Sequence, residues 1–173
     1  MTFAQQFVLL DPQQHDVKQF DCGKPDMNSF LSRYADKNKK LGLSATWVLI
    51  KQPVPDDIKK VLMAAYYTLA LTTVSREQIP TDKNLPAYPV PVVLLARLAV
   101  NRCFQKQGLG EKTLISALRQ SVYLTDKGLP ALGVVLDVLD NDALGFYQQF
   151  DVYQTFTDDP MRLFVMMNVL RKL

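Results

Sequence analysis

The chain has 173 residues, of which 48% are hydrophobic and 21% charged, with a formal net charge of +3. This balance excludes a disordered or fibrous protein and predicts one compact domain over residues 1–173. No apolar run approaches the roughly 20 residues that cross a bilayer, and residues 1–6 lack the features of a signal peptide, so we expect a cytoplasmic protein without membrane contact.

The first part of the chain alternates strand and helix patterns. Phe7–Leu10 is a short apolar run closed by a turn, which is typical of a strand. Pro25 opens a segment with apolar residues at spacings of three and four, so a helix is predicted from there to Gly42. Residues 45–50 and 61–71 are rich in β-branched and aromatic side chains and predict an antiparallel pair.

The second part predicts a mixed α/β order. Residues 75–91 contain four prolines and predict a long irregular excursion, with a short helix at its start, of the kind that often lines a site. Residues 92–100 form an apolar run interrupted by Arg97, which predicts a strand buried on both faces. The next apolar residues keep helical spacing from Thr113 to Val122 and predict a helix that ends at Lys127–Pro130. A strand over 134–138, a helix over 142–149 and a strand over 163–169 are predicted to follow.

Two glycines lie between the strand over 92–100 and the next helix, in Gln105-Lys106-Gln107-Gly108-Leu109-Gly110. Backbone N–H groups converge at such a turn and the helix dipole favours negative charge, so the loop predicts an anion site. Gly108 and Gly110 allow close approach of a diphosphate, and Gln105 and Lys106 can add side-chain donors. Glycine that serves only the geometry of the helix start explains the pair about equally well.

The six residues match the Gln/Arg-x-x-Gly-x-Gly/Ala motif of the GNAT acetyltransferase superfamily, which the sequence resembles for most of its length. The resemblance implies an α/β fold with a mixed, mostly antiparallel central sheet, splayed at a middle strand and flanked by helices. It also implies acetyl-CoA as co-substrate and no metal. The positions that it assigns to acetyl-CoA are Leu98, Ala99, Val100, Gln105, Lys106, Gln107, Gly108, Leu109, Gly110, Glu111, Asn141 and Phe146.

The segment Asn141–Tyr147 resembles the family's short helix whose Phe-Tyr pair places a tyrosine near the CoA sulfur. Tyr147 is therefore predicted to be the general acid that protonates the leaving thiolate. Residues 92–100 contain no Asp or Glu, although relatives that act on strongly basic amines keep a general base there. An α-amino group has a pKa of about 7.7 to 8.0 against about 10.4 for lysine, so we expect an amine of low pKa as substrate.

Further segments resemble the toxin branch of this family, in which toxins of bacterial toxin-antitoxin pairs acylate the α-amino group of aminoacyl-tRNA and inhibit translation. These segments are Phe20–Gly23, Leu31–Ala35, Tyr66–Ala70, Tyr88–Pro91 and Leu95–Val100. The resemblance implies a ribbon-helix-helix antitoxin and a homodimer. The residues that we expect to contact tRNA are Arg33, Lys37, Lys39, Lys40 and Arg97, although a solvated helix face explains the basic run just as well.

Two other functions stay open at this stage. One is an acetyltransferase for a small amine or a protein N-terminus, and the other is an inactive acetyl-CoA-binding module that acts with a DNA-binding partner. His15 is the only histidine and is interpreted as an exposed turn residue, so no Ser/His/Asp triad is expected. Asp137, Asp140 and Asp142 are interpreted as a solvated turn and a helix cap rather than as metal ligands.

Overall fold

The computed structural model describes residues 2–173, and these form two compact units. Unit 1 consists of the residues up to Leu69 together with Arg97–Ala117, and unit 2 of Ala70–Ala96 together with Leu118–Leu173. The strands are β1 (Thr2–Phe3), β2 (Val8–Leu9), β3 (Ala45–Gln52), β4 (Met63–Val74), β5 (Val90–Val100), β6 (Gly133–Asp137), β7 (Gln154–Thr155) and β8 (Arg162–Met166). The α-helices are α1 (Pro25–Ser29), α2 (Ala35–Lys40), α3 (Leu109–Thr125), α4 (Asn141–Tyr147) and α5 (Met167–Leu170).

The strands form one mixed sheet in the order β1-β3-β4-β5-β6-β8-β7, and β2 pairs with β3 beside this path. β5 and β6 run parallel, whereas β3 pairs with β4, and β6 with β8, in the antiparallel sense. The predicted mixed, mostly antiparallel sheet is confirmed. Within residues 2–173, no helix combines the length and the apolar character needed to cross a membrane.

Unit 1 is built around the antiparallel pair β3–β4, whose register runs from Ala45 opposite Leu69 to Ile50 opposite Met63, as the β-branched and aromatic pattern predicts. Against this pair packs the helical segment that begins at Pro25, passes through a π-helical turn over Phe30–Tyr34 and continues as α2. The predicted helix is confirmed, and Gly42, at φ 77°, follows its end.

Tyr66 fixes the helical segment to the sheet of unit 1. Its ring lies 5.3 Å from that of Phe20 and 6.5 Å from that of Phe30, centroid to centroid. Its hydroxyl donates to the carbonyl oxygen of Met27 at 2.8 Å. A buried phenol that satisfies its hydroxyl in this way contributes both apolar packing and a directional contact.

The strand predicted over Phe7–Leu10 is present as β2, although it is exposed, only two residues long and preceded by β1. Both strands are short additions to β3 that leave no periodic pattern. One sequence expectation in unit 1 is wrong. His15 is buried rather than exposed, with 5% of its surface accessible. Its Nδ1 accepts from the backbone N–H of Asp11 at 2.9 Å, and backbone bonds on either side of it join residues 14 and 16 to Val61.

Unit 2 contains β6, β7, β8, α4 and α5, together with parts of β4, β5 and α3. Its core includes Val92, Val135, Phe156 and Phe164. The first half of β5 is largely buried, whereas most of its second half is half-buried. The prediction that this strand is buried on both faces is therefore confirmed for its first half only. The short helix predicted at the start of the proline-rich excursion is confirmed as a 3-10 turn over Arg76–Gln78.

The last predicted strand, over residues 163–169, is too long. β8 ends at Met166, and the chain continues as the short helix α5. Met167 and Leu170 are both buried, whereas Val169 is 38% exposed. A spacing of three between buried residues fits a helical turn and not a strand, which alternates.

Candidate functional site

The glycine loop of unit 1 carries two left-handed residues at the start of a long helix. Lys106 has φ 63° and Gly108 has φ 81°, a region that side chains other than that of glycine rarely adopt. The backbone N–H of Lys112 donates to the carbonyl of Gly108 at 3.1 Å, so the three amides before it in α3 have no acceptor within the helix. This geometry suits an anion, as the sequence predicts.

An apolar anchor holds the start of α3 in place. Leu109 is buried and packs with Leu49, Ala64 and Phe104. The Thr113 hydroxyl donates to the Leu109 carbonyl at 2.6 Å. The residues from Gln105 to Gly108 remain exposed. The backbone of the loop is therefore accessible to solvent, while the buried Leu109 fixes the start of the helix that follows it.

The side chain of Gln105 has a different role from the one that the sequence suggests. Its Nε2 donates to the carbonyl oxygens of Cys22, at 3.2 Å, and Val100, at 3.0 Å. An amide nitrogen has two hydrogens, and both are used by these bonds. The side chain therefore ties the loop to the end of β5 and is not available as a donor to a diphosphate.

Asp21 is a structural residue of this region that the sequence analysis missed. Its Oδ1 accepts from the backbone N–H of Gly23 and from Nδ2 of Asn28, both at 2.8 Å. Its Oδ2 accepts from Nη1 of Arg102 at 3.0 Å. These three hydrogen bonds hold the pKa of Asp21 at about 2, below its ordinary value. An Asp two residues before a Gly is typical of an Asx turn, and that signal was present in the sequence.

Arg97 is held inside unit 1 and is only half-exposed. Its guanidinium carbon lies 4.2 Å from the centroid of the Phe30 ring, and Nη1 lies 3.6 Å from Sδ of Met27. The next three residues of β5, assigned to the co-substrate, are the half-buried Leu98 and Val100 and the buried Ala99. Stacking on an aromatic ring fixes the direction of the cation.

The basic residues of the helical segment are exposed, as expected for a charged helix face. Arg33, Lys37 and Lys39 carry no salt bridge within residues 2–173. Nζ of Lys40, by contrast, lies 2.8 Å from a carboxylate oxygen of Asp36, and this contact raises the pKa of Lys40. Three of these four cations therefore retain an uncompensated charge.

The other predicted site residues belong to α4 of unit 2. Asp140 caps this helix by accepting from the backbone N–H of Ala143 at 2.9 Å, which confirms the predicted cap. Asn141 is exposed and Phe146 half-buried. Asp137 is paired with Arg162 at 2.7 Å, and the described residues contain no group of three or more potential ligands placed to hold a metal.

Tyr147 is the most buried member of the predicted set in unit 2, with 8% of its surface accessible. Its ring centroid lies 5.3 Å from that of Phe146 and 6.1 Å, in an edge arrangement, from that of Tyr153. Burial raises the pKa of Tyr147, because the phenolate would be poorly solvated. The phenol therefore keeps its proton at neutral pH, as a general acid must.

No protein-family profile matches this chain. A tRNA-acetylating toxin from Mycobacterium tuberculosis is 32% identical to it over 161 residues, which cover 91% of this chain and 90% of that protein.

Solved structures share the fold. AtaT complexed with acetyl-methionyl-tRNAfMet matches with a TM-score of 0.83 and 22% identity, over 96% of this chain and 97% of that one. A tyrosine-to-phenylalanine mutant of the AtaT toxin, bound to the C-terminus of the antitoxin AtaR and acetyl-CoA, matches with a TM-score of 0.78 and 20% identity, over 96% of both chains.

Proposed function

The chain belongs to the family of tRNA-acetylating toxins, and on that premise we propose that it transfers an acetyl group from acetyl-CoA to the α-amino group of an aminoacyl-tRNA. The observation that carries this proposal is the 32% identity to such a toxin along 91% of the chain. The product no longer has the free amine that peptide-bond formation requires, so translation is inhibited.

The glycine loop fits the diphosphate of acetyl-CoA. Backbone amides at the start of the 17-residue helix α3 offer donors and a favourable dipole. Gly108 adopts the left-handed backbone conformation that the turn requires, and the two side-chain hydrogen bonds of Gln105 hold the loop in place. In this proposal the residues from Lys106 to Glu111 bind through their backbone, and residues 98–100 of β5 offer backbone groups to the pantetheine arm.

Acetyl-CoA supplies the acetyl group as a thioester, and the reaction replaces that C–S bond by the C–N bond of an amide. The leaving sulfur keeps the electron pair and needs one proton, while the amine nitrogen must lose one. We assign the first transfer to the hydroxyl of Tyr147, which recovers its proton from the amine nitrogen. Burial raises the pKa of this phenol, so its hydroxyl carries a proton at neutral pH and can give it to the leaving thiolate.

The strand β5 supports an α-amino substrate. It carries no Asp or Glu, so it offers no carboxylate to remove a proton from a strongly basic amine. An α-amino group, with a pKa of about 7.7 to 8.0, is already partly neutral at physiological pH. This amine attacks without a dedicated base.

Partners follow from the same premise. We propose that a ribbon-helix-helix antitoxin neutralises the protein, that the protein is a homodimer, and that it acts in the cytoplasm, where charged tRNA is found. The AtaT toxin bound to the C-terminus of AtaR supports the antitoxin. Size-exclusion chromatography with light scattering tests the dimer, and co-production with the product of a neighbouring reading frame tests the antitoxin.

The decisive experiment incubates the protein with labelled acetyl-CoA and total charged tRNA. We expect label in the RNA fraction that mild alkali releases as an N-acetyl amino acid, since the aminoacyl ester is base-labile. The same tRNA, deacylated beforehand, is the control and should remain unlabelled. Absence of label from every aminoacyl-tRNA, with transfer to a small amine or a peptide N-terminus, would overturn the proposal.

A further inference from the structure

Two cavities in unit 1 lie on either side of the segment Asp16–Phe20. One has a volume of about 530 Å³ and includes Lys59 and Lys60 in its lining. The other, of about 360 Å³, includes Lys18 and Arg33. These four cations define what we call the lysine surface. Arg33 also belongs to the basic helical segment, so the lysine surface continues that segment.

The backbone holds the lysine surface in place. The N–H of Asp16 donates to the carbonyl of Val61 at 2.9 Å, and the N–H of Val61 donates to the carbonyl of Gln14 at 2.8 Å. Buried Val17 and Phe20 insert into the core of unit 1. The segment that carries Lys18 is therefore fixed beside Val61, the residue that follows Lys60.

The charge of the lysine surface is not compensated within the part of the chain that the structure describes. None of its four cations forms a salt bridge there, whereas Arg102, Arg162 and Arg171 each pair with a carboxylate at 2.7 to 3.0 Å. Asp16 is the one acidic residue in the lining of either cavity. Like charges held together repel, so the arrangement is favourable when an anion is bound.

The other lining groups indicate which part of a nucleic acid would bind. Ser29, Ser32 and Gln19 offer uncharged hydrogen-bonding groups, which suit phosphate and ribose oxygens. Phe20 is the sole aromatic residue in either lining and is buried, with 3% of its surface exposed. A surface that recognised unpaired bases would need exposed aromatic rings for stacking, so the lining favours the backbone.

We propose that the lysine surface binds the phosphodiester backbone of the tRNA substrate, and thereby extends the RNA contact beyond the basic helical segment to Lys18, Lys59 and Lys60. This inference rests on the proposed function for the identity of the RNA. Recognition through the backbone is independent of sequence and salt-dependent.

The test compares two triple variants that lose the same net charge. Lys18→Gln/Lys59→Gln/Lys60→Gln removes the lysine surface, and Lys83→Gln/Lys127→Gln/Lys172→Gln removes three exposed lysines of unit 2. Binding of fluorescently labelled tRNA is titrated at several KCl concentrations. Acetylation is measured on charged tRNA and on an aminoacyl-CCA trinucleotide that is too short to reach the surface.

We expect the first variant to bind tRNA at least about tenfold more weakly and to lose about one unit of salt slope per lysine that contacts a phosphate. Its kcat/KM on the trinucleotide should match that of the wild type, and the second variant should match the wild type throughout. Equal affinity and salt slope in the two variants would overturn the inference. A wild type that acetylates no charged tRNA would refute the proposed function instead, and the tRNA titration, which needs no catalysis, would still decide on the surface.

Discussion

The side chain of Gln105 holds the glycine loop in place, and in the proposed function it does so without contacting acetyl-CoA. Its two hydrogen bonds hold a loop that contains the left-handed Lys106 and Gly108. We predict that Gln105→Ala raises KM for acetyl-CoA about tenfold, since two hydrogen bonds of about 0.5 to 1.5 kcal/mol each are lost. Steady-state kinetics should show an unchanged kcat at saturating acetyl-CoA. The variant Gln13→Ala, at an exposed glutamine, is the control. An unchanged KM in Gln105→Ala would contradict the positioning role of Gln105.

Tyr147 is the residue on which the proposed chemistry depends. Tyr147→Phe keeps the ring contacts with Phe146 and Tyr153 and removes only the hydroxyl. We expect kcat to fall by about 10²- to 10⁴-fold, the usual effect of losing a general acid, while acetyl-CoA binding by calorimetry stays as in the wild type. Tyr123→Phe, at a 56% exposed tyrosine, is the matched control. Turnover within a factor of two of the wild type would remove Tyr147 from its role.

The pH dependence of the reaction follows from the same residue. A general acid works while it is protonated, and burial raises the pKa of Tyr147 above the ordinary value of about 10. Its proton is therefore kept throughout the range from about pH 6 to 9. The amine works while it is neutral, so kcat/KM should rise with pH up to the amine pKa, at or below about 8, and then stay level. A descending limb between pH 7 and 9 in the rate profile would contradict this assignment.

At the scale of elements, the parts of the fold that could be predicted are those whose pattern is local. The helical segment from Pro25 and the pair β3–β4 are both long enough to repeat their periodicity. The two-residue strand β1 and the short helix α5 are too short to show one. The hydrogen bond between Arg102 and Asp21 joins residues 81 positions apart, and no local pattern encodes such a pairing. The Asx turn of Asp21 could therefore be predicted from the sequence, but its contact with Arg102 could not.

Two glycines of unit 2 allow a test of how tightly its elements pack. A Cβ at Gly133 would meet the carbonyl oxygen of Val165 and, at 2.7 Å, the ring of Phe164, whereas one at Gly145 would meet nothing within 4 Å. We predict that Gly133→Ala lowers the free energy of unfolding by about 1 to 3 kcal/mol through overpacking. Gly145→Ala, inside α4, should raise it by about 0.5 to 1 kcal/mol.

Urea denaturation followed by circular dichroism measures both glycine variants against the wild type. An unchanged midpoint for Gly133→Ala would contradict the prediction, because it would mean that β6 and β8 make room for the added methyl group without loss of stability. Gly133 is paired directly with Met166 in the β6–β8 ladder. A loss of stability in Gly145→Ala would show instead that α4 needs the flexibility of glycine next to Phe146 and Tyr147.

At the scale of the whole molecule, a net charge of +3 says little until its distribution is known. The sequence places Arg33, Lys37 and Lys39 on one segment, and that much could be predicted. The lysine surface could not, because the segments that carry Lys18 and Lys60 are linked only through backbone bonds of residues 14 and 16 to Val61, which no local pattern encodes. Long-range contacts of this kind decide which charges of a nearly neutral protein act together.

Binding of acetyl-CoA should stabilise the whole chain, which allows the loop to be tested without catalysis. A ligand at about 100 times its Kd adds about 2.7 kcal/mol, equivalent to a rise in Tm of about 5 to 10 °C for a chain of this size. We predict that Gly108→Glu abolishes this shift, because a carboxylate at the loop repels the diphosphate. Gly42→Glu is the matched control, since Gly42 has a similar backbone, φ 77° against 81°, and equally open surroundings.

The two glutamate variants carry the same added charge and a similar backbone strain, so they should lose a similar amount of intrinsic stability. Only their response to acetyl-CoA should differ: a full shift for Gly42→Glu and none for Gly108→Glu in differential scanning fluorimetry. A full shift in both would place the diphosphate elsewhere. Loss of the shift in both would mean that strain at any left-handed glycine unfolds unit 1, and isothermal calorimetry on Gln105→Ala would then carry the test of the loop.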